Sequence, residues 1–292
     1  MFGDPWPSTP VSPFAAHWQR WRSAQVHYVD EGHGRNVVLL HGNPAWSYLY
    51  RDVIRTLRPA WRCVAPDYPG FGLSQAPPDY GYTPQEHAQC VLDLLHSRVS
   101  GRWIIAGHDW GGPIGLWVAL QRPQRVAGLV LSNTWCWPPT PDLRLFSALA
   151  GGRWPGHPLQ VRCNAFARWL MPLGMASRGT LTPEVRHAYR APLADDGRGH
   201  AAWMLARSIR TQSAWLAQIA GRLGQLQDKP VTLVWGRRDP ALGHPRVLRR
   251  WRALLPWARV VTLAHASHYV PEDAPAALAD AIAQTPAPPG AY

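Results

Sequence analysis

Ala106-Gly107-His108-Asp109-Trp110-Gly111-Gly112 lies between the apolar run Trp103-Ile104-Ile105 and the stretch Pro113-Ile114-Gly115-Leu116-Trp117-Val118-Ala119-Leu120. The run before it reads as a buried strand, and the stretch after it as a helix with Pro in its first turn. A turn of small residues between strand and helix projects its central side chain. Glycine suits such a turn, because the backbone is strained and passes close to its neighbours. The central residue here is Asp109. A carboxylate with a reference pKa of about 3.9 is already ionised at neutral pH. It can attack an electrophilic sp3 carbon without first losing a proton.

Composition narrows the setting. At 292 residues the chain is long for one small domain and suits a single core with an insertion. Its hydrophobic content of 46% supports a sizeable core. The apolar runs are short and broken by Arg, Gly or Pro, so no membrane span and no membrane partner is expected. The lead from Met1 to Pro13 is rich in Pro and lacks the basic-then-apolar pattern of a secretory signal, so the expected location is cytoplasmic. Cys63, Cys90, Cys136 and Cys163 have neither metal-like nor disulfide-scaffold spacing and read as small buried hydrophobes or free thiols. The net charge of +12 is carried almost wholly by arginine, Lys229 being the one lysine. These arginines are scattered. The densest group, Arg246 to Arg252, reads as the solvated face of a helix, and no nucleic-acid partner is expected.

Along the chain, Ala24 to Gly32, Asn36 to Leu40 and Arg62 to Ala65 read as strands, as do Trp103 to Ile105 and Val126 to Leu131. Helical segments separate them. Thr83-Pro84-Gln85-Glu86 has the capping-box pattern that opens one such helix. Strand–helix alternation with short loops predicts an α/β fold with a mostly parallel, doubly wound sheet. The alternation stops between Trp137 and Gln227, where the pattern is helical and Arg207 to Leu223 is its most regular piece. It resumes at Pro230 to Trp235 and again at Arg259 to Leu263. The expected organisation is a core of residues 1–136 and 228–292 carrying a helical cap of residues 137–227. The tail from Thr285 to Gly290 reads as disordered.

Functional groups of such a sheet gather beyond the carboxyl ends of its strands. Asn43, Asp109 with Trp110, Asp239 and His268 all fall there. Nucleophile, acid and histidine follow in the order of the α/β-hydrolase triad. Asp109 would attack, His268 would act as general base, and Asp239 would orient its imidazole. Nearby His265 is the less favoured base. Asn43 and Trp110 can each offer a backbone N–H to an oxyanion hole. Each also offers a neutral side-chain donor, suited to a leaving group that departs as a compact anion such as halide.

His41-Gly42-Asn43-Pro44-Ala45-Trp46-Ser47-Tyr48-Leu49-Tyr50-Arg51 and Gly107-His108-Asp109-Trp110-Gly111-Gly112-Pro113-Ile114-Gly115 resemble the haloalkane dehalogenases of the α/β-hydrolase superfamily. Leu131 to Trp135 and His268 to Pro275 extend the likeness over most of the core and little of the cap. The resemblance implies a hydrolase that cleaves neutral haloalkanes to alcohol, halide and proton through a covalent alkyl–Asp ester, with no cofactor and no metal. It puts the nucleophile on Asp109, the base on His268 and the halide donors on Trp110 and Asn43. One branch of the family carries a Glu acid after the strand before the cap. Asn133 stands in that neighbourhood here, so the role falls to Asp239. An Asp–His–Asp triad with an Asn–Trp pair resembles the third subfamily, whose tendency to self-associate makes a homo-oligomer an expectation.

Three alternatives stay open: an epoxide hydrolase, a ligand-binding protein and a luciferase. An epoxide hydrolase would use the same Asp nucleophile with tyrosine donors from the cap, yet Tyr189 is the one tyrosine from Trp137 to Gln227. A non-catalytic ligand-binding protein on this fold would hold a ligand without turnover. A haloacid dehalogenase would need cations after the nucleophile, where Gly111, Gly112 and Pro113 stand. A coelenterazine-type luciferase shares the Asn, Asp and Trp pattern.

Overall fold

Alternation of apolar residues puts the two faces of a strand into two separate layers, and the sheet shows both. The computed structural model describes residues 12–177, 179, 181–193 and 198–286. Its strands are β1 (His17–Trp21), β2 (Ala24–Glu31), β3 (Arg35–Leu40), β4 (Trp61–Pro66), β5 (Trp103–His108), β6 (Val126–Ser132), β7 (Val231–Gly236) and β8 (Arg259–Leu263). They form one sheet in the order β1-β2-β4-β3-β5-β6-β7-β8. β1 and β2 pair antiparallel, as do β2 and β4, and every pairing from β4 to β8 is parallel. β5, β6 and β7 are buried along their whole length. That is why they read as unbroken apolar runs.

Val38, Leu40 and Ile105 point into one core layer with α2 (Pro84–Arg98), α3 (Gly111–Gln121) and Trp251 of α10 (Pro245–Leu254). Val37, Leu39 and Ile104 point into the other, with α1 (Arg51–Leu57) and α12 (Pro275–Ala283). The Thr83–Glu86 capping box is present at the start of α2. From β3 the chain crosses to β4 on one side and then to β5 on the other. This reversal is the topological switch point, where the carboxyl ends of β3 and β5 open a crevice.

Between β6 and β7 the described residues form helices α4 (Pro141–Ala150), α5 (Gly156–Cys163), α6 (Met171–Leu173), α7 (Pro183–Arg190), α8 (Arg198–Thr211) and α9 (Ser213–Arg222), with a π-helical turn at Phe166–Leu170. A buried ion pair ties this insertion to the core. Arg51 of α1 pairs with Glu272 of α11 (Val270–Asp273), and the Tyr189 hydroxyl of α7 donates to the same carboxylate. Removing one member of such a buried pair costs about 3–5 kcal/mol, because its partner is left uncompensated.

Several expectations need correction. The stretch from Arg207 to Leu223 is two helices, because Gln212 leaves helical geometry (φ −105°, ψ 25°) and its side-chain oxygen accepts from Gln85 of α2. β1 lies in a segment where no strand was expected. Thr285 and Pro286 are held in place, their carbonyls accepting from the Arg35 guanidinium. Positions 287–290 lie outside the described residues, as do 1–11 of the N-terminal lead. All four cysteines are free, and Cys63, Cys90 and Cys136 are buried. The arginines of α10 face solvent around buried Val247 and Trp251.

Glycine at the β5–α3 turn is a packing requirement: a Cβ on Gly111 would overlap the Leu40 carbonyl oxygen. Gly221, exposed on α9, has no atom within 4 Å of an added Cβ. Gly111→Ala is therefore expected to lose about 1–3 kcal/mol or more of stability in denaturant unfolding. Gly221→Ala should gain up to about 1 kcal/mol from reduced backbone entropy. Equal effects of the two substitutions would contradict this packing.

Candidate active site

Asp109 follows the last residue of β5 and adopts the left-handed conformation (φ 50°). A non-glycine residue rarely does so, and such strain is characteristic of functional turns. The Asp109 N–H donates to the Asn133 carbonyl at 3.3 Å, and the Thr134 hydroxyl donates to the Asp109 carbonyl at 2.5 Å. The loop after β6 thus braces the turn from one side. From the other, the backbone N–H of Asn43, after β3, donates to Asp109 Oδ1 at 2.9 Å. Gly42 makes this approach possible, since a Cβ there would collide with the Asp109 side chain.

His268 stands across from this carboxylate. Its Nε2 is 3.7 Å from Asp109 Oδ2, and its Nδ1 is 2.7 Å from Asp239 Oδ2. Asp239 is buried after β7. Its Oδ1 accepts from the N–H groups of Ala241 (2.8 Å) and Leu242 (3.0 Å), and its Oδ2 also accepts from Asn133 Nδ2 (2.8 Å). Asn133 is itself fixed by Gly236, donating to its carbonyl at 3.0 Å and accepting from its N–H at 2.8 Å. The His268 loop is clamped as well. The His268 N–H donates to the Gly174 carbonyl at 2.9 Å, and Asp273 accepts from Ser267 N (2.7 Å) and Ala176 N (2.9 Å). His265 is exposed and bonds to Arg238. The structure therefore brings Asp109, His268, Asp239 and Asn43 together and leaves His265 outside.

Burial pushes the Asp109 carboxyl above its usual range, against the pull of His268 and the backbone N–H groups of Asn43 and Trp110. Burial alone would lower the pKa of His268. Asp239, and behind it Asp109, more than offset this and carry it up to about 9. Asp239 is held well below the carboxylate range despite its own burial, chiefly by His268 and the Asn133 amide. His108, whose ring centre is 4.8 Å from that of His268, is pushed well below the usual histidine range by burial and stays neutral.

One Asn43 amide hydrogen is engaged with the Ala202 carbonyl of α8, at 2.9 Å. The Trp110 ring is buried and meets Trp135 edge-on at 5.1 Å, and its indole N–H has no protein partner among the described residues. Reasoning from sequence missed the supporting set of Asn133, Thr134 and Asp273. For Asn133 the signal was a short amide at the end of β6 beside the acid's strand. Tyr189 points away from this group, its hydroxyl committed to Glu272. Among the described residues no three His, Cys, Asp or Glu side chains converge as metal ligands.

Residues 35–162 match the family model described as the alpha/beta hydrolase fold. The chain is 38% identical to haloalkane dehalogenase 2 of Mycobacterium tuberculosis over 278 residues, 94% of this chain and 96% of that protein. It is 35% identical to the cis-3-alkyl-4-alkyloxetan-2-one decarboxylase of Xanthomonas campestris, over 87% of this chain and 90% of that one. The crystal structure of haloalkane dehalogenase DbeA from Bradyrhizobium elkani superposes with a TM-score of 0.82 at 25% identity, covering 92% of this chain and 96% of the other. Similarity at that level along nearly the whole length places the chain in the haloalkane dehalogenase family of the α/β-hydrolases.

Proposed function

We propose that the protein hydrolyses the carbon–halogen bond of neutral haloalkanes through an alkyl ester on Asp109. The observation that carries this reading is the Asp109 carboxylate, held by the Asn43 N–H and facing a His268–Asp239 pair. In the first step Asp109 attacks the alkyl carbon in line and halide departs toward the Trp110 indole N–H and the second Asn43 amide hydrogen. In the second step His268 takes a proton from water, which attacks the ester carbonyl. The backbone N–H groups of Asn43 and Trp110 hold the oxyanion, and alcohol leaves. The 3.7 Å gap between His268 and Asp109 exceeds a hydrogen bond, so the imidazole is free to engage water beside the ester. Asp239 orients the ring and stabilises its cation. An Asp–His–Asp triad with an Asn–Trp pair suits the third subfamily, and residues 137–227 act as the cap, touching the site through Ala202 and Gly174. The chemistry needs no cofactor, and the location we assign is cytoplasmic.

The commitment of Tyr189 to Glu272 disfavours an epoxide hydrolase, which would need that hydroxyl in the site. A second reading draws on the relative that decarboxylates an oxetan-2-one. A strained lactone attacked by Asp109 at its ring carbon also releases an anion, here a carboxylate. Loss of carbon dioxide with expulsion of Asp109 would then give an alkene. Product identity separates the two readings.

Halide release from bromo- and iodoalkanes should be abolished by Asp109→Asn. His268→Phe should release about one halide per enzyme and accumulate an alkyl adduct on Asp109, visible as a mass increase, because alkylation does not need the base. Continuous turnover by that variant would overturn the assignment of steps. Asn43→Ala should slow alkylation about 100- to 1000-fold.

The two steps should differ in pH dependence. Alkylation requires ionised Asp109, so its rate should fall as pH drops through a pKa above the ordinary Asp value. Ester formation removes the Asp109 charge and with it part of the upward pull on His268. Hydrolysis should therefore rise with pH along an ionisation below about 9, the value for the free enzyme. Rapid-quench kinetics across pH separates the two, and identical profiles would contradict the scheme.

A further inference from the structure

Among the described residues nine large hydrophobic side chains are exposed, and eight of them fall between positions 145 and 173. Trp154 is 81% exposed, Leu145 63%, Leu173 61%, Leu149 56% and Trp169 53%. Trp154 and Trp169 therefore neither pack between helices nor line an enclosed pocket. α4 turns its small side toward α8 through buried Ser147, whose hydroxyl donates to the Ala206 carbonyl at 2.7 Å. Leu145 and Leu149, one helical turn apart, are left facing out. Phe146 stacks on Phe166 at 6.4 Å, which joins the α4 surface to the turn carrying Trp169. Exposed apolar residues gathered in this way mark an interaction surface.

The charge beside this patch is predominantly positive. From Pro141 to Leu173 the acidic residues reduce to Asp142, which pairs with Arg246 at 2.5 Å. Arg144, Arg153, Arg162 and Arg168 are exposed, three of them directly before Leu145, Trp154 and Trp169, and none forms an ion pair among the described residues. Trp and Leu interleaved with Arg is the composition of a surface that enters the lipid interface, with aromatic rings at headgroup depth and cations on anionic lipids. A nucleic acid would use the arginines and leave the leucines in water. A second copy of this chain would set like charges against each other on a molecule already at +12. No described helix is long and apolar enough to cross a bilayer, so the contact is with one leaflet.

We infer that the face formed by α4, the Trp154 loop and the Phe166–Leu173 segment docks the protein on an anionic lipid bilayer. Such docking departs from the expectation of no membrane partner, which rested on the lack of spanning segments. The full chain should co-sediment with vesicles of phosphatidylcholine mixed with phosphatidylglycerol, far less with phosphatidylcholine alone, and less as salt rises. The double substitution Trp154→Ser/Trp169→Ser should weaken binding about tenfold or more with unfolding behaviour unchanged, since both side chains are exposed. Arg153→Glu/Arg168→Glu should weaken it through the charges. Failure to bind the mixed vesicles would overturn the inference. So would binding that ignores the tryptophan pair, which would reflect net charge alone. A lipid-free dimer that the tryptophan substitutions disperse would assign this face to a second copy instead.

Discussion

A carboxylate shut away from water has to be kept ionised by what surrounds it, and Asp109 imposes that demand on the rest of the structure. Its burial favours the neutral acid, while two backbone N–H groups and a histidine favour the charge. Those donors reach it because the chain is cut back around it. Gly42 lets β3's loop close on the side chain, and Gly111 lets α3 start against the Leu40 carbonyl. The left-handed turn aims the carboxylate out of the sheet. His268 can stay close as a cation because Asp239 lies behind it, and Asp239 can stay ionised because Asn133 and two N–H groups satisfy its oxygens. Charge alternates along this line and no member stands alone.

Much of this was legible in the sequence. Buried parallel strands are apolar on both faces, so β3, β5, β6 and β7 stand out as runs. The residues after these strands, and after the less buried β8, had to gather at one end of the sheet. Asp109, Asn43, Asp239 and His268 were therefore recognisable by position. What the sequence hid depends on contacts between distant segments. Asn133 and Gly236 are 103 positions apart, and nothing local to either shows that they fix the acid. Asp273 holds the loop of His268 against Ala176, 97 positions away. β1 is an edge strand with one exposed face, and its pattern is weak beside the proline-rich lead. The break at Gln212 involves neither Gly nor Pro. Nor does the residue type reveal exposure: Trp203 and Trp215 are buried while Trp154 and Trp169 are not.

The insertion between β6 and β7 serves two ends at once. Its inner side meets the site through Ala202 on Asn43 and Gly174 on His268, and it is anchored by Tyr189 on the Arg51–Glu272 pair. Its outer side carries the exposed tryptophans and arginines. The core needs Asp109, His268 and Asp239 held rigidly, which the sheet provides.

The central claim is that Asp109 attacks carbon and forms an ester. A single turnover in water enriched in oxygen-18, with enzyme in excess over bromoalkane, tests this most directly. If the ester forms and water attacks its carbonyl, the first alcohol carries an unlabelled oxygen from Asp109, and the label appears in the carboxylate of that residue. Labelled alcohol with an unlabelled Asp109 would mean that water attacks the substrate directly, and the nucleophilic role of Asp109 would be wrong.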